Sequence, residues 1–337
     1  MGAQQIYVPP RLENENGFLI DTRSGQRELV EEFKPEGTDK IIRFEIADEK
    51  DRAMIGQFFV DLYNKSCSMF SCLIPPRLEN ENGFLIDTRS GQRELVEEFK
   101  PEGTDKIIRF EIADEKDRAM IGQFFVDLYN KSCSMFSCLN PSYEDTAPFV
   151  FNILDHVLDK RASIIAFDGN KMIGFSLNNF HTPEELAKLY PRGLCEENPI
   201  FEIKDDYGKD IDKGPFPTRK GNQIESLCDE AYSQTGKFLP KDIKNFAVAE
   251  AVGVHPEYFR IKVFVRMMQL SEEIFRKKDC NYLAGYCAVT SSLNYCNKRG
   301  YKTVSVFPYD RFKDNNEVVF KDLADKAHGL YVTILKL

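Results

Sequence analysis

The sequence predicts an α/β (α+β) protein with a mixed, mostly antiparallel central sheet and helices on both of its faces. Short apolar runs of strand length alternate with longer stretches in which apolar residues recur at helical spacing. Two of the short runs are joined by the turn Gly169-Asn170, which indicates a β-hairpin. With 42% hydrophobic residues and 27 Phe in 337 residues, the chain has the composition of a globular protein.

A perfect internal repeat dominates the N-terminal part of the chain. Residues 9–73 and 75–139 are identical, letter for letter. Repeat architectures use at least three similar units, so two identical copies indicate a recent duplication, a duplicated exon or an error in the gene model. We therefore divide the chain into a leader of residues 1–8, a surplus strand–helix unit of residues 9–74, a polar linker of residues 75–105 and a domain of residues 106–337.

Each copy offers a strand for the same position in the sheet, Ile41–Ala47 in the first and Ile107–Ala113 in the second. The loop that must close is about 116 residues long for the first copy and about 50 for the second, which favours the second by only about 0.7 kcal/mol. We expect the second copy to occupy the sheet. The first copy is then loosely attached, or exchanges between two chains to give a domain-swapped homodimer.

The elements of the domain have recognisable boundaries. In Asp114–Tyr129 an acidic first turn precedes an apolar face, which predicts a helix. Thr182 caps a short helix that begins at Pro183, and the apolar run Asn245–Val254 indicates a buried strand. Within the linker we expect at most one short helix, Arg93–Phe99. Further strands are predicted at Ile107–Ala113, Ala162–Asp168, Lys171–Asn178, Asn281–Cys287, Tyr301–Phe307 and Gly329–Leu335, and further helices at Glu144–Lys160, Asn222–Thr235, Arg260–Arg276 and Thr290–Lys298.

Composition and charge argue against several classes of partner. The formal net charge is −9 and no long basic run is present, which argues against nucleic acid. The N-terminus MGAQQIYVPP has no signal-peptide pattern, and no apolar stretch reaches the roughly 18 residues of a membrane span. The nine Cys lack zinc-site spacing, so we expect no metal and reduced thiols in a cytoplasmic protein.

Two segments carry recognisable motifs. Val254–Leu270 begins with a V-x-P-x-Y turn that a loop and a helix follow, and Lys298–Lys302 reads K-x-G-Y. With the order of the elements, these segments resemble the turn, pyrophosphate loop and helix, and the closing K-x-G-[YF] of the coenzyme-flanking helix, in the GNAT superfamily of N-acetyltransferases, and in particular its arylalkylamine (dopamine-type) branch. The resemblance runs from about Lys106 to Leu337. It implies acetyl-CoA as co-substrate and a small-molecule primary amine as acceptor, acetylated by direct attack in a ternary complex.

The matching pyrophosphate loop departs from the family pattern Q/R-x-x-G-x-G/A. The coenzyme positions implied are Phe259, Arg260, Ile261, Lys262, Val263 and Phe264. Phe259 stands where Gln or Arg is expected, and Lys262 and Phe264 stand where Gly or another small residue lets the chain approach the phosphates. Arg260 and Lys262 supply charge, but a Lys cannot supply the missing close approach.

Three side chains and two backbone amides are the candidates for the chemistry. Glu250 is the lone charge in AVAEAVGV and is our candidate base, since a buried carboxylate has a raised pKa. By strand alternation it shares a side with Val252 and Val254, whose amides the resemblance implies as oxyanion donors. Ser292 resembles a family serine near the thiol. Tyr295 is the candidate acid, one residue from the usual tyrosine position, where Cys296 stands.

Each of these candidates also has an ordinary structural interpretation. Glu250 could face solvent or pair at a sheet edge, and Ser292 could be a helix N-cap. The alternative to an acetyltransferase is a catalytically impaired GNAT-fold binding protein, because the pyrophosphate loop lacks its glycines. The product of a damaged or mispredicted gene is a third interpretation.

Overall fold

The computed structural model describes residues 84–89 and 91–337, together with the backbone of two earlier strands. The chain divides into two compact units, Met1–Leu73 and Ile74–Leu337. The leader of residues 1–8 and the helix expected after the first copy's strand lie outside the described residues. The surplus unit, its exchange between chains and the domain boundaries stay predictions.

The first unit contains one described pair of strands, β1 (Leu29–Phe33) and β2 (Ile42–Glu45), which form a two-stranded antiparallel sheet. The second copy forms the same pair, β3 (Leu95–Phe99) and β4 (Ile108–Ile112), with the same register and the same bulge. Only the second pair continues into the large sheet, as the shorter closing loop predicted.

The second unit is built on an eight-stranded sheet. Its remaining strands are β5 (Ile164–Asp168), β6 (Lys171–His181), β7 (Asn245–Val254), β8 (Cys280–Cys287), β9 (Lys302–Pro308) and β12 (Gly329–Lys336), while β10 (Lys313–Asp314) and β11 (Glu317–Val318) form a separate hairpin. The spatial order is β3-β4-β5-β6-β7-β8-β12-β9. Every neighbouring pair is antiparallel except β7 and β8, which run parallel.

Helices cover both faces of this sheet. In the described residues they are α1 (Arg118–Ser132), α2 (Ser134–Ser137), α3 (Tyr143–Val157), α4 (Pro183–Leu189), α5 (Gly208–Asp212), α6 (Arg219–Thr235), α7 (Val263–Lys277) and α8 (Thr290–Arg299). On one face, α1 places Phe124 and Phe125 against Phe175 of β6. On the other, Met267 and Leu270 of α7 pack with Ile108 and Val254. The predicted mixed, mostly antiparallel sheet with helices on both faces is therefore confirmed.

The helix predicted at Arg93–Phe99 is wrong, because Leu95–Phe99 is a strand at the edge of the sheet. A bulge between Leu95 and Glu97 interrupts the alternation along this strand. Val96 and Phe99 consequently pack against the same core although they are three residues apart, a spacing that is typical of a helix. Residues of the predicted linker thus take part in the sheet.

Among the described residues, no helix is long and apolar enough to cross a membrane. In the same residues, no group of His, Cys, Asp and Glu is arranged to hold a metal ion. The cytoplasmic location stays a prediction.

The identity of the two copies predicts an unusual response to mutation. Phe110 is completely buried in the core, and Phe44 is its counterpart in the first copy. Replacing a buried Phe with Asp ordinarily costs several kcal/mol. We expect Phe110→Asp to lower the free energy of unfolding by only about 1 kcal/mol. The strand of the first copy can replace that of the second copy in the sheet, at little more than the entropic cost of closing the longer loop. Urea unfolding followed by circular dichroism measures this.

Phe44→Asp alone is the matched control and should leave the unfolding midpoint unchanged. The double variant Phe44→Asp/Phe110→Asp has no intact copy and should lose most of its stability. If Phe110→Asp alone is as destabilised as the double variant, the two copies cannot exchange.

Candidate active site

The two parallel strands at the centre of the sheet separate halfway along their length. β7 pairs with β8 from Asn245 to Ala249, whose partner is Gly285. Beyond that point β7 continues to Val254 paired only with β6, while β8 is held by β12. A gap opens between the two strands, and it exposes backbone groups that a regular sheet would satisfy.

Glu250 lies where this gap begins, at a β-bulge. Opposite it, Leu177 pairs with Ala251 and Asn178 pairs with Ala249, so Glu250 has no partner in the ladder. The bulge reverses the alternation of side chains along the strand. Val252 and Val254 pack with the core under α7, whereas Glu250 points to the opposite face. The expectation that Glu250 shares a side with the two valines is therefore wrong.

The surroundings of Glu250 are polar and aromatic. Its Oε1 accepts a hydrogen bond of 3.2 Å from Asn179 Nδ2, and its charge acts on the hydroxyls of Tyr190, Tyr232 and Tyr286. Burial raises the pKa of Glu250 to about 7, although the Asn179 hydrogen bond and the charge of His156 act in the opposite direction. The residue as a whole is half-buried. A base with this pKa is matched to proton transfer near neutral pH.

Tyr129 of α1 reaches the gap from the same face, and no pattern in the sequence had pointed to it. Its hydroxyl donates to the carbonyl oxygen of Val252 at 3.0 Å and accepts from the Val252 amide at 3.3 Å. Burial strongly raises the pKa of this hydroxyl. Alternate residues of a strand direct their amides to the same side, so the Val254 amide also faces the gap. Both implied oxyanion donors thus lie at the gap, and the amide of Val252 is already bonded to Tyr129.

The predicted coenzyme loop forms the start of α7. Phe259 and Arg260 belong to a 3-10 turn, Pro256–Ile261, so the helix begins three residues later than predicted. Lys262 follows with φ +62°, the left-handed conformation that glycine adopts without strain. Lys262 therefore carries a side chain in a backbone conformation that favours glycine.

The side chains of the loop point in different directions. Phe259 is 58% exposed, and Arg260 and Lys262 are also exposed, so two cations flank the positive end of the α7 dipole. Val263 is completely buried, and Ile261 packs against the same core.

Phe264 and Tyr295 meet between α7 and α8. Their rings lie edge to face with centroids 5.0 Å apart. The Tyr295 hydroxyl is buried without a hydrogen-bond partner among the described residues, and burial raises its pKa to about 12. Glu250 lies on the other face of the sheet, so the predicted base and acid are separated by the sheet.

Ser292 and Cys296 lie on α8 beside Cys287. Ser292 is not the N-cap, which is Val289; its hydroxyl donates to the carbonyl oxygen of Val289 at 2.8 Å. Cys287 Sγ donates to Cys296 Sγ at 3.5 Å, which lowers the pKa of Cys296 and raises that of Cys287. At the usual tyrosine position the chain thus presents a buried thiol.

No protein-family model and no curated protein matches the chain. Solved structures do match it. Drosophila melanogaster polyamine N-acetyltransferase, which forms N-acetylagmatine, has a TM-score of 0.51 and 12% identity over 68% of this chain and 100% of its own. Arylalkylamine N-acetyltransferase 2 from Aedes aegypti has a TM-score of 0.53 and 13% identity over 68% of this chain and 98% of its own. Mosquito arylalkylamine N-acetyltransferase like 5b has a TM-score of 0.51 and 14% identity over 68% of this chain and 100% of its own. The chain therefore has the fold of the GNAT N-acetyltransferases, and its solved neighbours include the arylalkylamine branch that the sequence resembles.

Proposed function

We propose that the chain is an acetyl-CoA-dependent N-acetyltransferase that acts on a primary amine of a small molecule. The observation that carries this proposal is the juxtaposition at the bulge, where a carboxylate with a pKa of about 7 lies beside an open strand edge. The named structural neighbours act on polyamines, agmatine and arylalkylamines, which supports an amine as acceptor.

The residues at the start of α7 and along the gap fit acetyl-CoA in part. A helix start with Arg260 and Lys262 beside it suits a pyrophosphate, and the amides of Val252 and Val254 suit an extended polar chain along the strand edge. When bound, acetyl-CoA supplies an activated acyl thioester. Lys262 and Phe264 place side chains where the family has small residues.

Each polar group of the site then has a role in moving or holding a proton. Glu250 accepts the proton of the acceptor ammonium, whose free pKa is near 10, so that the amine can attack. The Val252 and Val254 amides donate to developing negative charge. Tyr295, whose unpartnered hydroxyl lies across the sheet from Glu250, is the proposed acid, and Ser292 lies near the Cys287 thiol.

A second candidate function is a catalytically impaired binding protein with the same fold. Lys262 carries a side chain in a glycine conformation, and Phe264 occupies space between the two helices that flank the proposed coenzyme path. Either feature weakens coenzyme binding without disturbing the amine-side cleft.

Thermal stabilisation by acetyl-CoA separates the two functions. We expect 1 mM acetyl-CoA to raise the Tm by several degrees, since a ligand at 100 times its Kd adds about 2.7 kcal/mol to the stability of the folded state. The variant Arg260→Gln/Lys262→Gln should lose at least half of this shift, because its helix start has no flanking cations. Differential scanning fluorimetry measures both.

Lys277→Gln, at the opposite end of the same helix and equally exposed, is the control and should keep the full shift. A wild-type chain with no shift at millimolar acetyl-CoA contradicts the acetyltransferase and leaves the binding protein.

The base assignment predicts a specific pH profile. Because Glu250 must be deprotonated to act, kcat/KM should rise up to tenfold per pH unit below about pH 7 and level off above it. Glu250→Gln should lower kcat/KM at pH 8 by roughly 100-fold to 10,000-fold and abolish the rise of kcat/KM with pH. Initial rates with an excess of acetyl-CoA, measured from pH 5.5 to 9, provide the test.

Measuring the stability of Glu250→Gln distinguishes the loss of the base from misfolding of the variant. Since the folded state raises the pKa of Glu250, its contribution to stability is present below the unfolded pKa and is lost as pH rises through about 7. Glu250→Gln should therefore be more stable than the wild type at pH 8, by roughly 1–3 kcal/mol, and equal to it near pH 4. Glu317→Gln, an exposed carboxylate, should change neither rate nor stability. Unchanged turnover in Glu250→Gln removes it as the base.

A further inference from the structure

The thiols of Cys287 and Cys296 form a pair that the proposed chemistry does not use. Cys287 Sγ donates a hydrogen bond to Cys296 Sγ at 3.5 Å. We call these two residues the thiol pair. The remaining cysteines of the described part of the chain form no thiol–thiol hydrogen bond within it; they are Cys133, Cys138, Cys195, Cys228 and Cys280.

The thiol pair lies at the point where β8 separates from β7. A Cβ atom placed on Gly285, the last residue of β8 that pairs with β7, would lie 4.0 Å from Cys296 Sγ. The pair is 3% and 5% exposed and belongs to an apolar cluster that includes Leu283 and Phe275. In these apolar surroundings each sulfur has the other within hydrogen-bond reach.

The positions of the two sulfurs require little movement for a covalent bond. A disulfide bond is about 2.05 Å long, so the sulfurs must approach each other by about 1.5 Å from their separation of 3.5 Å. Rotation of the two side chains about their Cα–Cβ bonds moves a sulfur over distances of this size. The hydrogen bond from Cys287 also lowers the pKa of Cys296, and the thiolate is the form that attacks an oxidant.

α8 is a surface helix with a small apolar anchor. Of its ten residues, Cys296 alone is buried, while Leu293 and Tyr295 are half-buried against the same cluster. Elements with few buried apolar contacts open locally at a lower free energy than the core. Local opening of α8 would admit a molecule as small as hydrogen peroxide to the thiol pair.

We propose that the thiol pair is a redox modification site, at which hydrogen peroxide converts the two thiols into a reversible disulfide that clamps α8 to β8. The site goes beyond the proposed function and does not depend on it. The oxidant class is a small hydroperoxide, because the pair lies in an enclosed apolar cluster.

The oxidation takes place in two steps. The Cys296 thiolate attacks one peroxide oxygen: an S–O bond forms, the O–O bond breaks, and the leaving hydroxide joins the proton lost by Cys296 to give water. Cys287 then attacks the Cys296 sulfur: the S–S bond forms, the S–O bond breaks, and the second hydroxide takes the Cys287 proton to give a second water. The two sulfurs together lose two electrons, and the peroxide gains them.

Mass spectrometry of the full chain tests the modification. Trypsin releases residues 279–298 as one peptide, which contains Cys280 and the thiol pair. Reduced native protein is treated with hydrogen peroxide, then denatured, alkylated with N-ethylmaleimide and digested. We expect most copies of this peptide to carry a single label, on Cys280, and to be about 2 Da lighter than a fully reduced peptide with one label. Treatment with dithiothreitol before alkylation should restore labelling of all three cysteines.

Two variants identify the sulfurs that react. Cys296→Ser should form no link, and Cys287 should stay available to the label. Cys280→Ser is the matched control, because Cys280 is buried in the same cluster, and it should form the link as the wild type does. The modification is overturned if peroxide leaves the thiol pair free in the wild type, or if the link joins Cys280 instead.

Hydrogen–deuterium exchange tests the clamp. A bond between the thiol pair restrains the opening of the chain that it encloses, so amides of residues 288–296 should exchange at least about tenfold more slowly in the oxidised chain than in the reduced one. Cys280→Ser should show the same slowing, and peroxide should not change this exchange in Cys296→Ser. Equal exchange in both redox states of the wild type overturns the clamp. Neither measurement uses acetyl-CoA, so failure of the proposed function leaves both tests valid.

Discussion

The separation of β7 from β8 after Ala249 is the constraint on which the site depends. Parallel strands that stayed paired would use the amides of Val252 and Val254 in the ladder. Because β8 pairs with β7 only as far as Gly285, these groups face a gap, and the bulge at Glu250 directs a carboxylate to the opposite face at the same level. Two neighbouring irregularities of the sheet, the gap and the bulge, thus supply an open strand edge and a base beside it.

Two desolvated carboxylates lower the stability of the fold, and other contacts offset this cost. Glu250 and Glu225 are desolvated without a cation, which favours their protonated forms. Elsewhere, charges are paired closely: Arg93 bonds Asp117 at 2.7 Å and joins the edge strand to the start of α1. Tyr129 satisfies the backbone of Val252 in the gap. Strongly perturbed pKa values of this kind cluster at functional sites.

How far the site could be predicted depended on the regularity of the backbone. Glu250 was found because a lone charge in an apolar strand is visible in the sequence, but its direction was wrong because a bulge leaves no such trace. The departure at Lys262 was visible, whereas its left-handed backbone was not. Tyr129 escaped notice since its role depends on Val252, which is 123 residues away along the chain. Local patterns predict elements, and contacts between distant elements decide sites.

The repeat separates most clearly what the sequence determined from what the tertiary structure decided. Identical residues form the same two strands in both copies, with the same register and the same bulge, because turn and pairing are encoded within a few dozen residues. Only the second pair joins the eight-stranded sheet. Nothing inside the repeat distinguishes the two copies. The choice depends on how much chain must be closed to reach β5, a property of connectivity that only the assembled fold expresses.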